Sequence, residues 1–68
     1  MSSNLGVYLK SLREDKKLSQ AKFGKELGFS ARTVSDWENG NTEPNLNTVK
    51  AIVKFYDITY EELFEEIN

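Results

Sequence analysis

The sequence predicts an all-α domain of five short helices. Three observations lead there. Apolar residues recur three and four positions apart in short blocks, which is the period of a helix with one buried face. No run of β-branched residues alternates with polar ones, as a half-buried strand would require. Each block is also framed by helix signals, with Ser, Thr or Asn ahead of it and often Gly behind. The 68 residues are enough for one domain and too few for two, so positions 1–68 are read as a single unit.

The first helix is expected from about Asn4 to Asp15, with Leu5, Leu9 and Leu12 on one side and Ser3 or Asn4 as its N-cap. The second follows Ser19, a good N-cap, and runs to Leu27. Phe23 and Leu27 face inward, and Gly28 stands where a glycine ends a helix. Gly24 lies inside this helix, where glycine costs about 1 kcal/mol relative to Ala; a close helix crossing that leaves no room for a Cβ would account for it. The third helix follows Ser30 and runs to about Asn39, with Val34 and Trp37 inward and Gly40 at its end. Asn39 to Asn45 reads as a loop, because Pro44 disfavours helical backbone at Glu43. The fourth helix follows Asn45 and carries a stripe of Leu46, Val49, Ile52, Val53 and Tyr56. The fifth opens at Thr59 with Glu62 three residues on, a capping box, and its apolar side is Leu63, Phe64 and Ile67. The fourth and fifth helices, about 45–67, complete the core.

Composition narrows the function. The chain has no Cys and no His. That removes disulfides, thiolate or imidazole metal sites, Cys nucleophiles and the usual neutral-pH general base. The acids between Asp57 and Glu66 lack the spacing of a calcium loop and read as a wet helix face. A core this small has little room for a ligand pocket. No enzyme activity, cofactor, metal or small-molecule ligand is therefore expected. No basic start leads into an apolar block, and no uncharged run approaches the roughly 18 residues of a membrane span. The absence of Cys fits a reducing compartment, and the expected location is the cytoplasm.

The net charge is −2, but the charges are segregated. Residues 1–34 hold seven Lys and Arg against three acids, a net +4, whereas residues 35–68 hold two against eight, a net −6. This pattern suits one basic face for an anion and an acidic end away from it.

The second and third helices are joined only by Gly28 and Phe29. So short a link forces a steep crossing, of about 90–120°. Such a crossing needs a small residue at the contact (Gly24), a left-handed turn (Gly28), and apolar anchors (Phe23, Leu27, Val34 and Trp37). These features share one explanation, a helix-turn-helix over about 19–38.

The stretch from Leu18 to Gly40, with its Ser-Gln opening, the Gly after the second helix and the Trp-Glu-Asn-Gly close, resembles the helix-turn-helix of the phage lambda repressor/Cro-type transcriptional regulators. Leu5-Gly6, Leu9, Leu12 and Arg13 are similar to that family's first helix, and Pro44, Leu46, Val49, Ile52 and the Ile58–Leu63 segment to its fourth and fifth. The resemblance implies a compact five-helix DNA-binding domain whose third helix enters the major groove. The outward positions of that helix are Ala31, Arg32, Thr33, Ser35 and Asp36. By the resemblance Ser30, Ala31, Arg32 and Asp36 meet bases. Arg32 suits guanine O6 and N7, Asp36 the cytosine amine, and Ala31 a thymine methyl. Gln20 is implied to grip the DNA backbone and to orient a side chain of the third helix. Asn39, Asn41, Lys10, Arg13 and Lys22 are the further phosphate candidates. The departures from the family pattern are Gly24 in place of the usual Ala, Val53 in place of a small residue, an acid at Asp36, and a pI of about 5.0.

Surplus apolar residues, among them Val7, suggest a homodimer, with Phe55, Tyr60, Phe64 and Ile67 as its surface. The expected function is a bacterial or phage regulator of double-stranded DNA, a dimeric repressor at an inverted repeat. The alternative keeps the fold but uses the acidic C-terminal helix, around Phe64 and Glu65, to bind a protein partner in the manner of an antitoxin or anti-regulator.

Overall fold

Three of the helix starts follow from a single polar side chain each. In the computed structural model, which describes residues 2–59 and 61, Ser19 Oγ accepts from Lys22 N at 3.0 Å, Ser30 Oγ from Thr33 N at 3.2 Å, and Asn45 Oδ1 from Thr48 N at 2.9 Å. Each satisfies an amide that the first turn of a helix would otherwise leave open. The helices are α1 (Ser2–Asp15), α2 (Gln20–Leu27), α3 (Ala31–Glu38) and α4 (Leu46–Phe55). Among the described residues there is no strand. The expected fifth helix, with its capping box, lies almost wholly outside the described residues, as do Tyr60, Phe64 and Ile67. Among the described residues there are four helices. No helix among the described residues is long and apolar enough to cross a membrane.

The helix ends share one device. Lys17, Gly28, Gly40 and Asp57 each follow a helix with positive φ, at 59°, 85°, 78° and 52°. The next amide then reaches back five residues: Leu18 to Arg13, Phe29 to Gly24, Asn41 to Asp36, and Ile58 to Val53. This left-handed closure satisfies the last carbonyls of the helix. Glycine adopts it freely, but Lys and Asp do so under strain, since left-handed backbone costs an L-residue roughly 1–2 kcal/mol. Lys17→Gly and Asp57→Gly are therefore expected to stabilise the domain, Lys17→Gly by about 0.5–1 kcal/mol after the flexibility of glycine is discounted. A rise in melting temperature of a few degrees for Lys17→Gly in a thermal scan would show it.

The core is Leu5, Leu9 and Leu12 of α1, Phe23 of α2, Val34 and Trp37 of α3, Ile52 of α4, and Tyr56 at the C-cap of α4. Each fully buried side chain of this size contributes about 1.5–3 kcal/mol. The Phe23 and Tyr56 rings stack with centroids 5.2 Å apart, and Phe29 meets Trp37 edge-on at 5.1 Å. The Tyr56 hydroxyl donates to Glu26 Oε1 at 2.7 Å, tying α4 to α2. Burial, and then that carboxylate, hold the phenol well above the ordinary tyrosine range. Trp37 and Phe23 are thus core residues, as their register predicts.

Two readings are corrected. Helix α1 begins at Ser2, so Ser3 and Asn4 lie within it instead of capping it; neither Pro nor Gly stands there to delay the start. Leu46 leaves the inner stripe of α4 and is 65% exposed. The buried line is Thr48, Ile52 and Tyr56, positions four apart. Thr48 is admitted because its hydroxyl donates to Asn45 Oδ1 at 3.0 Å, so no polar group is left unpaired.

Candidate nucleic-acid interface

Helix α3 is pressed from two sides. A Cβ built at Gly24 would stand 2.6 Å from the Phe29 carbonyl oxygen and 3.1 Å from Val34 Cγ2. The turn between α2 and α3 therefore folds directly onto Gly24. A Cβ at Gly6 would stand 2.4 Å from the Trp37 carbonyl oxygen and 2.7 Å from that of Glu38. Here α1 crosses the end of α3 with backbone touching backbone. Together with the buried Val34 and Trp37, these contacts fix which face of α3 looks outward.

Arg32 is exposed, while Ala31, Thr33, Ser35 and Asp36 are half-buried. Their hydrogen bonds divide them. Ser30 Oγ and Thr33 Oγ1 lie 3.1 Å apart and engage each other. Asn39 Nδ2 donates to Ser35 Oγ at 3.3 Å. The Asp36 carbonyl accepts from the amides of Asn41 and Thr42, which folds the loop back over the end of α3. Neither the Arg32 guanidinium nor the Asp36 carboxylate has a partner among the described residues. They are four residues apart in the order Arg then Asp, the weaker orientation for a helical ion pair.

Behind this face lies a buried ionic knot. Glu38 has a side chain only 2% exposed. Arg13 Nε donates to its Oε2 at 2.7 Å and Arg13 Nη2 to its Oε1 at 3.2 Å. Gln20 Nε2 donates to the same Oε1 at 3.1 Å, and Arg13 Nη1 donates to the Leu18 carbonyl at 2.8 Å. One carboxylate thus joins the end of α1, the start of α2 and the end of α3. The hydrogen bond to Glu38 raises the Arg13 pKa above its ordinary value.

This geometry re-sorts the expected phosphate contacts. Arg13 is turned inward and spent on Glu38 and Leu18, which corrects its reading as a surface grip. The Gln20 amide nitrogen is engaged by Glu38, and its side chain is half-buried at the first turn of α2. Lys10, Lys22, Asn39 and Asn41 are exposed. Phe55, of the expected dimer surface, is 62% exposed. Among the described residues no group of His, Cys, Asp or Glu could hold a metal ion.

Sequence reasoning missed Glu38 and Gly6 as organising residues. Both left a signal. Glu38 is four residues after Val34 and so in register with the buried face, and Gly6 is a mid-helix glycine of the same kind as Gly24.

Two helices joined by a left-handed glycine turn, with the second held outward-facing by buried anchors, define a helix-turn-helix unit. The comparisons agree. A family model described as helix-turn-helix (HTH_3) matches residues 9–63, and the chain belongs to that family. The HTH-type transcriptional activator BcrR of Enterococcus faecalis is 38% identical over 55 residues, 81% of this chain and 27% of that protein. The antitoxin PezA of Streptococcus pneumoniae is 27% identical over 62 residues, 91% of this chain and 39% of that protein. The cryptic phage CTXphi transcriptional repressor RstR of Vibrio cholerae is 29% identical over 58 residues, 85% of this chain and 52% of that protein. The chain spans about half or less of these relatives. No solved structure gives a significant match.

Proposed function

We propose that the chain is a sequence-specific, double-stranded DNA-binding regulator that inserts α3 into the major groove. The observation that carries this reading is the outward face of α3. Its Arg32 and Asp36 side chains have no partner among the described residues, while the helix beneath them is locked by Gly6, Gly24 and the Glu38 knot. A helix held this firmly can present side chains to base edges with little reorganisation. The exposed Lys10, Lys22, Asn39 and Asn41, with the first turn of α2 at Gln20, then set the position on the phosphates. A two-fold dimer would place two such helices about 34 Å apart, one DNA turn, with the exposed Phe55 and the segment bearing Tyr60, Phe64 and Ile67 as its surface. Occlusion of a promoter at an inverted repeat makes this a repressor.

Arg32→Ala is expected to weaken binding to a preferred duplex by about 5- to 150-fold per half-site, the range of one bidentate guanine contact. Affinity should fall steeply as salt rises. Anisotropy titrations at several salt concentrations read both. The likeness to an antitoxin favours a second reading, a protein-binding module acting through its acidic C-terminal segment. In that case Arg32→Ala and Gln20→Ala leave function intact, whereas changes at Phe64 or Glu65 abolish it.

A further inference from the structure

We propose that Asn39-Gly40 is a self-modification site, held off by the closed end of α3 and reactive when that end opens, and that its product disarms the face for DNA. The last part rests on the DNA-binding reading above; the chemistry does not.

An asparagine followed by glycine is the pair most prone to cyclise, because glycine has no Cβ to screen its amide nitrogen. Asn39 is followed by Gly40, whereas Asn4, Asn41, Asn45 and Asn47 are followed by Leu or Thr. Asn39 is also exposed, and water is the only co-reactant. The Gly40 amide loses its proton to hydroxide, and its nitrogen attacks Asn39 Cγ. The N–Cγ bond forms, the Cγ–Nδ2 bond breaks, and Nδ2 leaves as ammonia with a proton from water. Water then opens the cyclic imide at either carbonyl. The product is Asp or, with the main chain rerouted through Cγ, isoaspartate. Nothing is oxidised or reduced.

The fold opposes the first step. At φ −89° and ψ −2° for Asn39, the Gly40 nitrogen eclipses the Asn39 nitrogen and is turned away from the Asn39 side chain. The Gly40 amide donates to the Trp37 carbonyl at 3.2 Å, and Asn39 Nδ2 donates to Ser35 Oγ at 3.3 Å. The Asn41 amide closes the end on the Asp36 carbonyl at 2.9 Å. All these bonds belong to the last turn of α3, and helix ends are where local opening costs least. Conversion of Asn39 therefore records how often this end opens.

The product places a negative charge badly. A carboxylate at position 39 stands three residues from Asp36, a like charge on the same side of the helix. It lies at the negative end of the α3 dipole and beside the proposed phosphate contacts. Isoaspartate also adds a methylene to the main chain ahead of Gly40, so the closure from Asn41 to Asp36 loses its register.

The test ages the wild type and Asn39→Gln in warm, mildly alkaline buffer, with and without urea. Peptide-mapping mass spectrometry reads each asparagine, and anisotropy reads affinity for a short duplex. Glutamine must close a larger ring and reacts far more slowly. Asn39 should convert before any other asparagine, and at least about tenfold faster in urea, because opening a hydrogen-bonded helix end costs free energy. The converted wild type, separated by ion exchange, should bind duplex about tenfold more weakly or worse, the loss of one hydrogen bond to a charged group. Asn39→Gln should keep through the incubation whatever affinity it starts with. No conversion at Asn39, or another asparagine converting first, overturns the site. Equal rates with and without urea overturn the hold of the fold. Converted protein that binds as tightly as fresh protein overturns the disarming. Fresh wild type that binds no duplex overturns the DNA reading, while the order and rates of conversion still decide the chemistry.

Discussion

Arg13→Ala is expected to destabilise the domain by about 3–5 kcal/mol, the cost of breaking a buried ion pair by removing one partner. The Glu38 carboxylate would keep only Gln20 as a partner, in a site where its side chain is 2% exposed. A chain of this length has a total stability of roughly 3–10 kcal/mol, so the variant should be largely unfolded well below the wild-type midpoint in urea. The cause is the orphaned carboxylate and not loss of the pair as such. Replacing both partners together with apolar residues of similar size, as in Arg13→Met with Glu38→Leu, should recover most of the stability. A double substitution as unstable as Arg13→Ala alone would mean that the knot holds the helices by its geometry and not by charge balance.

Gly6→Ala is expected to cost about 1–3 kcal/mol, the range of overpacking, although alanine is the better helix former by about 1 kcal/mol. The new Cβ would fall 2.4 Å and 2.7 Å from two backbone carbonyl oxygens of α3. Neither can swing aside as a side-chain end would. Helix α1 must retreat, and the Arg13 to Glu38 contact lies on the same pair of helices. Gly28→Ala is the informative contrast. It meets nothing within 4 Å, but its φ is +85°, so only left-handed strain of about 1–2 kcal/mol acts there. Denaturant midpoints rank the two. Equal or greater stability in Gly6→Ala would contradict the close crossing.

Much of this fold was legible because its signals are local. Ser19, Ser30 and Asn45 announce helix starts through their own side chains, and Gly28 and Gly40 announce ends through backbone freedom. The spacing of Phe23, Val34 and Trp37 gives the buried faces. The left-handed ends at Lys17 and Asp57 were not legible, because neither residue type prefers that conformation and the surrounding packing imposes it. Glu38 was hidden for a different reason. A glutamate is almost always exposed unless paired, and its partners are 25 and 18 residues away in sequence. The same long-range pairing removed Arg13 from the expected DNA contacts. The outward face of α3 was legible from periodicity alone, but which of its side chains are free was not, since the Ser30–Thr33 and Ser35–Asn39 bonds depend on rotamers.

The central claim is that the α2–α3 face binds DNA. It is tested most directly by titrating a short duplex into the isotope-labelled protein at low salt and following the backbone amides by NMR. Even non-specific binding, with a dissociation constant of about 10⁻⁴–10⁻⁶ M, suffices at the concentrations used. Shifts are expected to concentrate at Gln20–Lys22 and across Ser30–Asp36, to extend to Asn39 and Asn41, and to be lost as salt rises. Shifts confined to the chain after Leu46, or none at all from a folded protein, would contradict it.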